Sequence, residues 1–271
     1  MGNISDSQTH AQEVSDGRRF RFGENWTRFL AVLDEQRIRS AVDSLKQMLE
    51  VNSLEGKSFL DIGSGSGLFS LAAKRLGARV VSFDYDPQSV ACTGELKRRY
   101  FENDGAWVVQ SGSVLDTAYL ESLGKFDIVY SWGVLHHTGA MWDALANADS
   151  KVAPRGKLFI ALYNHQPFAS KYWMFVKKTY NSYRISRPFA VLVHAIYPVA
   201  PGIVLRALQR RMYPRGMSVW HDLLDWLGGY PFEVSKPEQI FNFYKARGYS
   251  LQVLKTVGGR LGCNEYVFQR N

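Results

Sequence analysis

"FLDIGSGSGLFSLAAKRLGARVVSFDYD", residues 59–86, places three glycines on a turn between an apolar run and a helical segment, then ends a second apolar run on an acid. Phe59-Leu60 enters as strand and Leu68 to Leu76 leaves as helix, so Gly63, Gly65 and Gly67 occupy the turn. Without a Cβ, backbone N–H groups there can approach a ligand closely. Asp84 stands 17 residues beyond Gly67, at the end of the next strand candidate. A carboxylate at that place accepts hydrogen bonds from both hydroxyls of a ribose.

The same strand-helix rhythm continues outward. Apolar runs at 58–62, 79–83, 107–110, 126–132 and 157–163 read as strands, and 67–76, 87–101, 119–123 and 140–152 as helices. This alternation predicts an α/β chain with a parallel sheet and helices on both faces. Upstream, after a polar tail, "FRFGENWTRFLAVLDEQRIRSAVDSLKQML" reads as helix, with Phe29, Val32, Leu33, Val42, Leu45 and Leu49 at helical spacing. Downstream, "KPEQIFNFYKARG" is a helix, and "YSLQVLKTV" and "NEYVFQR" form an antiparallel pair.

The loop's ligand follows from its chemistry. A dinucleotide loop has the spacing G-x-G-x-x-G, whereas this one is G-x-G-x-G with Asp61 two residues before it. A pyrophosphate beside that carboxylate would be repelled. S-adenosylmethionine has a sulfonium, an ammonium and a ribose but no phosphate, and it suits the set.

The motifs "LDIGSGSG" (60–67), "VSFDYDP" (81–87), "FDIVYSWGVLHH" (126–137) and "KVAPRGKLFIALYN" (151–164) together resemble the class I S-adenosylmethionine-dependent methyltransferases. The resemblance implies a Rossmann-like seven-stranded sheet, mostly parallel, with an antiparallel last strand and a helical lid insertion. It implies one methyltransferase domain over 1–271, with an N-terminal helical cap at 1–50 and the lid at 165–217. S-adenosyl-L-methionine would be held by Asp61, Gly63, Ser64, Gly65, Gly67, Asp84 and Trp132, with Tyr85 packing on the adenine. Many members place an acid after the third strand, where "QSGSVLD" here offers Ser113, with Val114 beside the ring. Asp116 then reads as a helix cap.

Strand ends are where an open α/β sheet meets its ligand, so "SWGVLHHTG" brings Trp132, His136 and His137 to the chemistry. Methyl transfer to a hydroxyl needs a proton acceptor, and an imidazole suits that task, with helix capping or packing as the other use of either ring. Trp26, Tyr163, His221 and Tyr230 are the substrate-side candidates. No His, Cys and carboxylate cluster has metal-ligand spacing, so no metal is expected.

Charge is unevenly placed. The net charge is +8, yet residues 150–221 hold twelve Lys or Arg and no acid. Within that stretch, Phe168, Tyr172, Phe175, Val176 and Thr179 share a helical face flanked by Lys171, Lys177 and Lys178, the pattern of an interfacial helix. The expected partners are a small-molecule acceptor and an anionic membrane surface met peripherally, consistent with a weaker resemblance to ubiquinone-pathway O-methyltransferases. Packing of the apolar run "PFAVLVHAIYPVAPGIVL" (188–205) on the sheet or in a homodimer is the other reading. Nucleic acid is disfavoured, since no RNA-binding module or amine-methylation motif accompanies the core. A non-catalytic cofactor-binding protein is disfavoured by the intact glycine and acid motifs. Two cysteines, no leader-like segment and no uninterrupted apolar span predict a cytoplasmic protein, with the inner membrane surface as its peripheral site.

Overall fold

The computed structural model describes residues 4–194 and 226–271. Three helices, α1 (Ile4–Ser15), α2 (Phe22–Ala31) and α3 (Glu35–Leu49), precede the sheet. Then β1 (Ser58–Ile62), α4 (Leu68–Arg75), β2 (Arg79–Asp84), α5 (Pro87–Phe101) and β3 (Trp107–Ser111) follow in alternation. The second half holds α6 (Thr117–Glu121), β4 (Phe126–Trp132), α7 (Met141–Ser150), β5 (Val152–Tyr163), α8 (Ala169–Ser182) and α9 (Arg187–His194). The chain closes with α10 (Pro237–Lys245), β6 (Tyr249–Lys255) and β7 (Cys263–Arg270).

The seven strands run in the order β3-β2-β1-β4-β5-β7-β6, with β7 antiparallel to both neighbours and the pairs from β3 to β5 parallel. This is the sheet the sequence predicts. Its order reverses beside β1, and a crevice for ligands opens at such a switch point. Alternation along each strand feeds two cores. Phe59, Tyr130, Phe159 and Val267 pack with Leu45 of α3 and Leu71 of α4, while Leu60, Val129, Leu158 and Ile160 pack with Leu145 of α7 and Tyr244 of α10. Burying one such aliphatic side chain contributes about 1.5–3 kcal/mol.

Differences from the sequence reading have local causes. The single N-terminal helix is two, because Asp34 takes an extended conformation and its carboxylate caps α3 by accepting from the Arg37 N–H at 2.8 Å. The polar tail forms α1. Asp116 caps α6 as expected, accepting from Tyr119 N at 3.0 Å, so that helix starts at Thr117. β5 begins at Val152, ahead of the expected Lys157, and its register against β4 shifts between Phe126 and Ile128.

In α8 the inward face carries Trp173, Val176, Lys177 and Tyr180, packed toward Leu227 and Phe232. Lys177 is therefore no interfacial charge. Its ammonium donates to the Trp226 carbonyl and lies 4.5 Å and 5.0 Å from the Trp226 and Phe232 ring centres. Phe168, Tyr172 and Phe175 do face outward, and Val176 does not. The part of the apolar run beyond His194, the arginines that follow it and His221 lie outside the described residues.

Candidate functional site

A cavity of about 520 Å³ opens at the carboxyl ends of the strands, within the size range of small-molecule sites. Its floor is the β1–α4 loop. Gly63 and Gly65 have φ of 74° and 56°, which an L side chain rarely adopts. Gly63 N and Ser64 N donate to the Phe83 carbonyl at 2.9 Å and 3.1 Å, tying the loop to β2. Trp26 of α2 closes over it, so near that a Cβ on Gly65 would sit 3.0 Å from the indole.

Asp84, at the end of β2, receives the Gly65 N–H on Oδ2 and the Asp86 N–H on Oδ1, both at 2.9 Å. Burial still pushes its pKa up to about 6. Asp61 is 2% exposed, and burial, reinforced by the Asp84 charge, pushes it up to about 7. It is oriented by a relay that the motif reading did not include. Trp107 Nε1–H donates to Ser82 Oγ at 2.9 Å, and Ser70 O–H donates to Asp61 Oδ2 at 2.5 Å. With both ends fixed, the Ser82 hydroxyl donates to Ser70 Oγ across 2.7 Å. All three donors point toward the one carboxylate.

Tyr85, Ser113 and Val114 line the cavity beside Asp84. Three neighbours there were not legible as site residues. His10 of α1 meets the Tyr85 ring edge-on at 5.3 Å. Arg19 lies 4.9 Å above that ring and donates to the His137 carbonyl at 3.1 Å. Asp86 caps α5 by accepting from Gln88 N (2.9 Å). Its other oxygen accepts from Gly23 N (2.8 Å) at the start of α2. No pattern in the polar N-terminal segment signals these contacts, because they depend on how α1 and α2 fold back.

Beyond β4, Trp132 and His137 line the same cavity. His137 Nδ1 lies 2.6 Å from the Pro231 carbonyl. A carbonyl only accepts, so Nδ1 carries the proton and Nε2 keeps its lone pair. Burial holds the ring neutral by pushing its pKa down to about 3. His136 does not line the cavity. It is wholly buried, its ring centre 3.9 Å from that of Tyr163 and tilted by 38°, with Nδ1 accepting from Tyr163 N at 3.4 Å. Tyr163 and Tyr230 also lie off the cavity lining, the latter receiving Phe20 N on its carbonyl at 3.1 Å. Gly67, with φ 80°, lies against Thr93 of α5, where a Cβ would come within 2.8 Å of the backbone, so it serves helix packing. Ser64 lines the cavity and bonds Thr93 Oγ1 at 2.8 Å. His221 lies outside the described residues. No group of three potential metal ligands occurs among the described residues.

The chain matches a family described as a methyltransferase domain over residues 33–247. It is 31% identical over 116 residues to a ubiquinone biosynthesis O-methyltransferase of Xanthomonas euvesicatoria, covering 43% of this chain and 47% of that protein. A mitochondrial ubiquinone biosynthesis O-methyltransferase of Schizosaccharomyces pombe is 28% identical over 172 residues, with 59% of each covered. The chain thus spans about half the length of these curated relatives, 47% and 59%. Among solved structures, the magnesium protoporphyrin IX methyltransferase of Synechocystis with bound SAH superposes with a TM-score of 0.51 at 13% identity. That match covers 87% of this chain and 83% of that one. At that identity the likeness is one of fold.

Proposed function

The chain belongs to the methyltransferase-domain family, and we propose that its cavity binds S-adenosyl-L-methionine and directs methyl transfer to a hydroxyl oxygen of a small molecule. The observation that carries this reading is the placement of Asp61 and Asp84 on one cavity with the glycine loop between them. Two carboxylates with raised pKa values call for a ligand bringing positive charge and hydroxyls, and they repel a phosphate. Asp61 would face the ammonium, Asp84 the ribose, and Tyr85, Ser113 and Val114 the adenine. When bound, this cofactor supplies a methyl group made electrophilic by its sulfonium.

The chain's own residues then handle orientation and the proton. Trp26 and the relay to Asp61 fix the donor end. His137 lines the cavity, and its Nε2, left unprotonated, would take the acceptor's hydroxyl proton as oxygen attacks. The charge balance favours this arrangement. A neutral imidazole becomes an imidazolium as the sulfonium charge is lost, so the buried site gains no net charge. Arg19 and Lys177 raise the cost of that imidazolium, which keeps His137 neutral until transfer occurs.

The acceptor is proposed to be phenolic or otherwise lipophilic, which the apolar surface of the insertion supports. Phe168 just before α8, Phe175 on α8 and Phe189 on α9 are exposed within the basic stretch and fit peripheral contact with an anionic membrane. No helix among the described residues is long and apolar enough to cross a membrane. Incubation with isotope-labelled methyl donor and lipid or polar extracts tests the activity. A labelled product of hydroxyl methylation is expected. Tight donor binding with no labelled product in any fraction would overturn it.

A further inference from the structure

The cavity's lining continues from the glycine loop, Asp61 and Asp84 out to Glu265 and Lys255. Register across the sheet puts Trp132 opposite Ala161, Ala161 opposite Glu265, and Glu265 opposite Lys255. Residues paired in this way share a face, so they form one row at the carboxyl end of β4, running outward over β5, β7 and β6. Three strand spacings make this row about 14 Å long. The next row inward, Tyr130, Phe159, Val267 and Val253, packs into the core under α3 and α4. Trp132, Glu265 and Lys255 line the same cavity as Asp61 and Asp84. Across from them α3 contributes Arg37, Ser40 and Ser44, spaced to share one helical face.

The two ends of this arm differ in character. The inner end, beside the glycine loop, is walled by the rings of Trp26, Phe29, Phe69 and Trp132. The outer end is polar, with the Lys255–Glu265 ion pair at 3.4 Å and with Ser40 exposed. An apolar interior leading to a hydrated rim matches a long apolar group whose far end reaches water.

We propose that this arm between α3 and the β4–β6 side of the sheet is the acceptor's binding channel. It takes an elongated apolar body of about 14 Å, with the reacting hydroxyl at the Trp132 end. The inference rests on the donor occupying the β3–β1 side, as the proposed function has it. The arm, not the lid alone, then selects acceptors by length. Ser44→Trp, at a half-exposed position on α3, would fill the channel without touching the glycine loop.

Titration calorimetry of SAH-loaded protein with phenol, 4-hexylphenol and 4-decylphenol tests this. Affinity is expected to rise roughly threefold to fourfold per methylene until the arm is filled. Ser44→Trp should weaken 4-decylphenol at least tenfold while SAH affinity is unchanged. Should that variant lose SAH binding through misfolding, Ser40→Trp at an exposed position replaces it. Equal 4-decylphenol binding in the wild type and a variant that retains SAH binding, or no chain-length dependence in the wild type, overturns the channel. Labelled methyl transfer separates the two readings. Length-dependent binding without transfer preserves the channel and defeats hydroxyl methylation, whereas transfer to phenol with no length dependence does the reverse.

Discussion

A carboxyl group that burial pushes up to about 7 is only half ionised at neutral pH until a cation reaches it, which is the state of Asp61. Its folded pKa lies above its unfolded value, as does that of Asp84 at about 6. Their contribution to stability is fully present below the unfolded pKa and is lost as pH rises through 6 to 7. The ligand-free Tm should therefore fall between pH 5 and 8, and Asp61→Asn should flatten that slope. Parallel Tm profiles for the two proteins would contradict the assignment. Ser70→Ala removes the hydroxyl that donates to Asp61 at 2.5 Å. A hydrogen bond to a charged group contributes about 1.5–3 kcal/mol, so SAH affinity at pH 7 should fall roughly tenfold or more. The pH midpoint of binding should also move upward, a shift that simple loosening of the loop would not produce. At the chemical end, His137→Ala should lower kcat by about 10²–10⁴ with SAH affinity retained. Loss of SAH binding instead would make His137 structural. The two histidines show what sequence can resolve at this scale. Adjacent positions point different ways, but only the folded chain shows that His137 lines the cavity and that the Pro231 carbonyl, far along the chain, fixes its tautomer.

Among the elements, the clamp at Asp86 joins the N-terminal helices to the sheet. One carboxylate serves Gln88 at the start of α5 and Gly23 at the start of α2. Asp86→Ala should cost about 1–2 kcal/mol in urea denaturation and speed amide exchange in α2 ahead of the sheet strands. Uniformly faster exchange would point to a global effect. The sheet strands were legible because apolar runs of strand length alternate with helical periods, and the β1–α4 turn because only glycine fits its positive φ. The break at Asp34 was also readable in principle, since an N-cap acid precedes the periodic run, but continuous apolar spacing masks it. The helix α1 was not readable. Its composition is polar, and its value lies in His10 and in the Glu13 carboxylate that holds Arg19 at 2.6 Å.

For the molecule as a whole, the excess positive charge falls within one stretch of sequence, residues 150–221, which also carries the exposed rings of Phe168, Phe175 and Phe189, while the cavity lies at the carboxyl ends of the strands. Flotation with liposomes containing anionic lipid should carry the protein upward, and replacing Phe168 and Phe175 by Ser should reduce this. Protein that stays wholly below the lipid would remove the membrane contact. The charge asymmetry was plain in the sequence, but the inward turn of Lys177 was not, since only the Trp226 carbonyl and nearby rings make burying an ammonium tolerable. The central claim is that the glycine loop and Asp84 hold the methyl donor, and titration calorimetry with SAH tests it most directly. Asp84→Ala removes the carboxylate itself, and Gly65→Val forces a side chain to φ 56° within 3.0 Å of Trp26. Each should weaken SAH binding by about a hundredfold or more while the protein stays folded. Near-normal affinity in both folded variants would contradict the account.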